Sequence, residues 1–168
     1  MGWESFVVAG RTDEAFVAKQ LVSRMGGSIT ISTQEEDTQS HVDFWWHKTD
    51  GSIVGVDVKG MRKRSRYDLR PDNDITWLEL QNVLGMPGWL YGKAKYIAFR
   101  RIGLTAFVDR ATLATYAEKL VAGKKVVDVR PSVCGVPYTR SKWGRNDITV
   151  MVPLDDMEKL AEFVLPNA

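Results

Sequence analysis

The sequence predicts an α/β protein of the α+β kind, with helices packed on a mixed sheet. Three observations carry this. Two strongly patterned strands at 41–46 and 53–59 turn on Asp50-Gly51; a helix-period apolar stripe precedes them at 13–25; and a strand pair at 95–109 runs into a second helical stripe at 110–122. A chain of 168 residues, 44% of them hydrophobic, is long enough to fill one core. The expected organisation is one domain over 1–168, with a core at about 10–122 and a C-terminal extension at about 123–168.

Taken in order, residues 1–10 read as a short apolar strand or loop around Phe6-Val7-Val8-Ala9. Thr12 can cap a helix whose first turn holds Asp13 and Glu14, acids favoured at a helix N-terminus. Phe16, Val17, Ala18, Leu21, Val22 and Met25 form its apolar face, and Gly26-Gly27 stops it. Residues 28–32 are β-like, and the polar, acidic 33–40 read as a loop. The hairpin follows, with 48–52 as its turn. A basic stretch at 61–74 ends in the turn residues Pro71-Asp72-Asn73-Asp74. The alternation of Ile75, Trp77, Glu79 and Gln81 favours a third strand. The glycine-rich 85–92 lacks the Gly-Lys-Ser/Thr ending of a phosphate loop and reads as a tight turn packed by Trp89 and Tyr91. Strands at 95–101 and 104–109 pair across Ile102-Gly103, and the helix at 110–122 buries Leu113, Tyr116, Ala117 and Leu120. The remainder reads as a short strand at 126–129, a long loop at 132–146, a strand at 147–152 and a last helix at 153–164.

No apolar run reaches the roughly eighteen residues of a membrane span. The N-terminus lacks the basic region and cleavage site of a signal peptide, so a cytoplasmic setting is expected. One cysteine excludes an internal disulfide and a cysteine-rich zinc site, and Cys134 reads as an inert buried thiol. The net charge of +2 says little, but its distribution says more. Lys59, Arg62, Lys63, Arg64, Arg66 and Arg70 form one basic cluster; Arg140, Lys142 and Arg145 form another around Trp143. Either is a solvated face or a phosphate-binding surface. Trp143 is the aromatic best placed in sequence to stack on an unpaired base.

The candidate site is Asp43 with Asp57-Val58-Lys59. On a strand, residues two apart share a face, so Asp57 and Lys59 project together, and the hairpin brings Asp43 beside them. Carboxylates among Phe44, Trp45, Val56 and Val58 are costly unless paired or metal-bound. Two of them beside an ammonium suit a divalent cation: Asp43 and Asp57 as oxygen ligands, the Val58 carbonyl as a further one, and Lys59 to orient water and stabilise transition-state charge. The competing reading puts Asp43 on a solvent-facing edge and Lys59 at a strand end. His41 and His47, on one strand, read as structural or solvent-facing.

The pattern of Asp43, thirteen intervening residues and Asp57-Val58-Lys59 resembles the PD-(D/E)XK nuclease superfamily, with Val42-Asp43 standing where that name has Pro-Asp. The superfamily includes restriction endonucleases, archaeal-type Holliday-junction resolvases and phage exonucleases. The resemblance covers about 10–120. It implies a restriction-endonuclease-like core in the order helix–three strands–helix–strand, with C-terminal strand and helix additions. It implies hydrolysis of DNA phosphodiesters with Mg²⁺, for which Mn²⁺ substitutes. It also implies a possible homodimer in a bacterial or phage-infected cell. Related nucleases often add a carboxylate from the first helix, here Glu14, with Glu4 a weaker competitor; Glu14 is otherwise an ordinary first-turn acid. Some families place a polar residue of the third strand near the metal, here Glu79 or Gln81; both are otherwise surface residues. The rival reading is a non-catalytic nucleic-acid-binding or regulatory protein on the same fold. A structural or interaction protein is a third.

Overall fold

The structure, a computed structural model, describes the backbone of residues 3–167 and the side chains of residues 11–141 and 143–167. The elements run α1 (Trp3–Met25), β1 (Ser28–Ile31), α2 (Gln34–Ser40), β2 (Phe44–His47), β3 (Ile53–Lys59), β4 (Ile75–Gln81), β5 (Tyr96–Arg101), β6 (Leu104–Asp109), α3 (Arg110–Val121), β7 (Ile148–Pro153), α4 (Leu154–Leu160) and β8 (Phe163–Pro166). Short 3₁₀ turns lie at Trp89–Tyr91 and Ser141–Trp143. A six-stranded sheet has the order β1-β2-β3-β5-β6-β8, and β4 and β7 form a separate two-stranded sheet. The larger sheet is mixed: β3 and β5 are parallel and the other neighbours antiparallel.

Period-two patterning explains the layers. Phe44, Trp46, Val56, Tyr96, Ala98 and Phe107 face one way and bury Val17, Ala18 and Leu21 of α1. Ile97, Phe99 and Val108 face the other way, in a core completed by Leu78 of β4, Val150 and Val152 of β7, Leu113 and Ala117 of α3, and Leu154 and Met157 of α4. Asp57 and Lys59 lie on this second side, two and four residues from Gly55, where a Cβ would meet the Val42 methyls at 3.0 Å. The small β4–β7 sheet packs on this same side through Leu78, Val150 and Val152.

The parallel β3–β5 pair needs a crossover connection. Here β4 and the 3₁₀ turn at Trp89–Tyr91 make it, so the helix expected before the fourth core strand is absent from that connection. The strand expected third in the main sheet has its ladder with β7, seventy residues on in the chain. The presumed C-terminal extension is therefore part of the core: β7 completes β4, α4 buries Leu154 and Met157, and β8 pairs with β6.

Other expectations need correction. The helix begins at Trp3, so the stretch at Phe6-Val7-Val8-Ala9 is helical and Thr12 is not its cap; the side chains of 3–10, Glu4 among them, lie outside the described residues. Residues 33–40 form α2, started by a capping box in which the Glu36 amide donates to Thr33 Oγ1 (3.2 Å) and the Thr33 amide to Glu36 Oε2 (2.8 Å). His41 closes α2 in a left-handed conformation (φ 52°), so the hairpin strand starts at Phe44 and His41 does not share it with His47. His47 meets Thr30 Oγ1 at 2.8 Å, the structural role expected of it. Residues 126–129 form no strand, only a bridge from Val127 to Tyr138. The last helix stops at Leu160, because Phe163 and Leu165 are drawn into β8 against β6. Cys134 is exposed, not buried. Trp89 packs into the core as expected, but Tyr91 is exposed and hydrogen-bonds Glu118 (2.9 Å). Among the described residues, no helix is long and apolar enough to cross a membrane.

Candidate functional site

The hairpin places the carboxylates together. Its turn closes through the Lys48 amide to Ser52 O (2.8 Å), with Gly51 at φ 87°. The register that opposes Phe44 to Val56 brings Asp43, just before β2, beside Asp57. The Asp43 amide donates to Val56 O (2.9 Å), the residue already paired with Phe44, so the ladder is offset at Asp43. Its carboxylate then takes the place of a backbone acceptor: Val58 N–H donates to Asp43 Oδ2 at 2.6 Å. Asp43 is thereby tied to the backbone between Asp57 and Lys59.

Asp57 is 2% exposed. Lys59 Nζ donates to its Oδ1 at 2.7 Å, while its Oδ2 is buried with no hydrogen-bond partner among the described residues. The same Nζ lies 4.7 Å from the centroid of the Trp89 ring, a cation–π contact that aims the ammonium along the strand face. A single ammonium between two carboxylates leaves their repulsion uncompensated. Burial, then the charge of Asp57, pushes the Asp43 carboxyl up to about 8, against the Val58 amide and Lys59. Burial also raises Glu14, with Asp37 and Asp57 adding to the rise and Arg11 and Lys59 opposing it. Glu14 therefore stands in the field of the pair, from the middle of α1 and not its first turn. It does not join the pair as a ligand cluster: among the described residues, no three His, Cys, Asp or Glu side chains are gathered to hold a metal.

Lys59 also lines a cleft of about 240 Å³ between β3 and the β4–β7 sheet. Among the described residues, six cations line it, Lys59, Arg62, Lys63, Arg130, Arg140 and Arg145, with one carboxylate, Glu79. Both basic clusters seen in the sequence thus contribute, but not all their members. Arg64 turns to Asp72 (2.7 Å), and Arg66 lies over the Tyr67 ring (4.8 Å) with Nη2 donating to its hydroxyl (2.5 Å); neither lines the cleft. The Lys142 side chain lies outside the described residues, and Trp143 is 72% exposed on its 3₁₀ turn. Glu79 and Gln81 do not share a role, because a bulge separates them; Gln81 Nε2 donates to Asn146 O (2.6 Å) and is not among the residues lining the cleft.

Sequence reasoning missed Arg130, Tyr138, Trp77, Thr76 and Thr149 in this lining, and Asp147 beside it. Asp147 is 2% exposed; its Oδ2 accepts from Arg140 Nη2 at 2.8 Å and lies 3.4 Å from Arg145 Nη2. Burial raises its carboxyl, but the Arg140 hydrogen bond and the charges of Arg140 and Arg145 outweigh this and hold it below its ordinary value. The available signal was an acid ending a basic loop. Gly88 completes the wall, since a Cβ there would lie 2.2 Å from Glu79 O, and its amide donates to Leu80 O (2.9 Å).

The chain matches no family model, no curated protein and no solved structure. Fold and site define it as a mixed α/β protein in which the buried Asp57 and the half-buried Asp43 adjoin a lysine at the edge of a cationic cleft.

Proposed function

We propose that this protein is a metal-dependent nuclease that hydrolyses phosphodiester bonds of DNA, as do the PD-(D/E)XK enzymes its sequence resembles. The observation that carries the reading is the buried Asp57 oxygen that has no partner among the described residues, next to Asp43 and to Lys59, which lines the cleft with five further cations. A buried, unsatisfied carboxylate oxygen is costly, and a hard divalent cation relieves that cost. Mg²⁺ is commonly held by one or two carboxylates, with waters and phosphate oxygens in its remaining positions, so Asp43 and Asp57 suffice as protein ligands. When bound, the cation polarises a phosphate and lowers the pKa of a coordinated water. Lys59, fixed by Asp57 and the Trp89 face, stabilises negative charge at the phosphate. The cleft cations hold neighbouring phosphates. Glu14 and Glu79 supply charge at the edges of the site.

A restriction-endonuclease-like core belongs to the same proposal. The run α1-β1-β2-β3 with a parallel β5 supports it, although β4 replaces the crossover helix. Action in the cytoplasm, and a homodimer where both strands of a duplex are cut, are further parts of the proposal.

Labelled duplex, branched and single-stranded DNA, incubated under single-turnover conditions, are expected to be cut with Mg²⁺ or Mn²⁺ and left intact with EDTA. Binding of all three without cleavage in either metal would point to a binding protein instead. The cleft also separates neighbours in the first basic cluster. Arg62→Ala is expected to weaken DNA binding and lower the slope of log affinity against log salt by about one. Arg66→Ala, on a side chain occupied with Tyr67, is expected to leave that slope unchanged. Equal effects in fluorescence titrations across salt would remove the cleft's special role.

A further inference from the structure

The cationic cleft does not end at Arg140. A second depression, of about 280 Å³, shares Arg130, Tyr138 and Arg140 with it and continues to Trp143. The two make one track, starting at Lys59 beside the carboxylates and ending at an indole that is 72% exposed. Its floor is fixed. Tyr138 pairs with Thr149 of β7 through both backbone groups (2.9 and 3.0 Å), and Arg130 donates to the Arg64 carbonyl. Asp147 holds Arg140 and Arg145. Ser141 Oγ donates to Asp128 Oδ1 (2.9 Å), tying down the turn that carries Trp143.

We infer that an unpaired DNA strand occupies this track, with phosphates on Arg62, Arg130 and Arg140 and a base stacked on Trp143. The inference deepens the nuclease reading and rests on it for the placement of the scissile phosphate at Asp43 and Asp57. Two features select a single strand over a duplex. The cations follow a groove, the arrangement that tracks one backbone. The aromatic side chains divide the work: Trp89 and Tyr138 are buried walls, whereas Trp143 presents its surface at the far end, where a base displaced from the backbone can stack.

The test is binding in EDTA, where hydrolysis plays no part. Anisotropy of a labelled oligothymidine is compared with that of a blunt duplex of equal length, for the wild type, Trp143→Ala and Trp143→Phe. The single strand is expected to bind about tenfold tighter than the duplex. Trp143→Ala should lose about tenfold on the single strand and close most of that gap, while Trp143→Phe retains the preference. Because Trp143 is exposed, neither change disturbs the core. A duplex bound as tightly as the single strand, or an unchanged Trp143→Ala titration, overturns the inference. The same proteins are then assayed with Mg²⁺. A single-strand preference without cleavage of any substrate leaves the track and removes the nuclease. Equal cleavage of duplex and single strand, indifferent to Trp143, leaves the nuclease and removes the track.

Discussion

Replacing Asp57 by asparagine is expected to abolish Mg²⁺-dependent cleavage. Asp57 is 2% exposed; its Oδ1 accepts from Lys59 Nζ at 2.7 Å, and its Oδ2 has no hydrogen-bond partner among the described residues. An asparagine of nearly the same shape keeps an oxygen for the Lys59 ammonium but puts an amide nitrogen in place of the oxygen left for the cation. An amide is a poor ligand for a hard cation. The single-turnover rate should therefore fall by about a thousandfold or more, some 4 kcal/mol of transition-state stabilisation. Undiminished cleavage would remove Asp57 from the site.

The carboxylate pair was legible in the sequence because its determinants are local. Asp50-Gly51 sets the hairpin, strict alternation sets the face of Asp57 and Lys59, and the strand at 53–59 is found with those limits. The pair β5–β6 and the helix α3 were legible for the same reason. The cleft was not, because its walls come from distant segments: 59–63 after β3, 76–89 around β4, and 130–149 leading into β7. They meet only because β4 leaves the main sheet for β7, a pairing that no local pattern specifies. Sequence neighbours are then a poor guide to facing. Arg62 and Lys63 line the cleft, while Arg64 and Arg66 turn to Asp72 and Tyr67. The capping box at Thr33 and Glu36 was visible, but α2 buries no residue, so no apolar stripe drew attention to it.

Mg²⁺ affinity is expected to rise about fiftyfold between pH 6 and pH 8, and Asp43 is the reason. Its carboxyl is pushed from an ordinary 3.8 to about 8, first by burial and then by Asp57. Between those values the folded protein holds a proton that the unfolded chain has lost. Stability of the metal-free protein should therefore be fully supported below the ordinary value and decline as pH rises through the folded one. Cation binding requires the ionised carboxylate, so it must expel that proton across the same window. Apparent affinity then gains about tenfold per pH unit until the group ionises by itself near pH 8. Glu14, also raised by burial, adds to the same direction from α1, and Glu14→Gln separates the two. Calorimetric titrations of Mg²⁺ in two buffers of different ionisation enthalpy should report about one proton released per cation at pH 6–7. Asp43→Asn should abolish both the slope and the proton release, whereas Glu14→Gln should keep most of each. Equal affinities at pH 6 and pH 8, or a slope that survives Asp43→Asn, would show that the cation does not bind at Asp43.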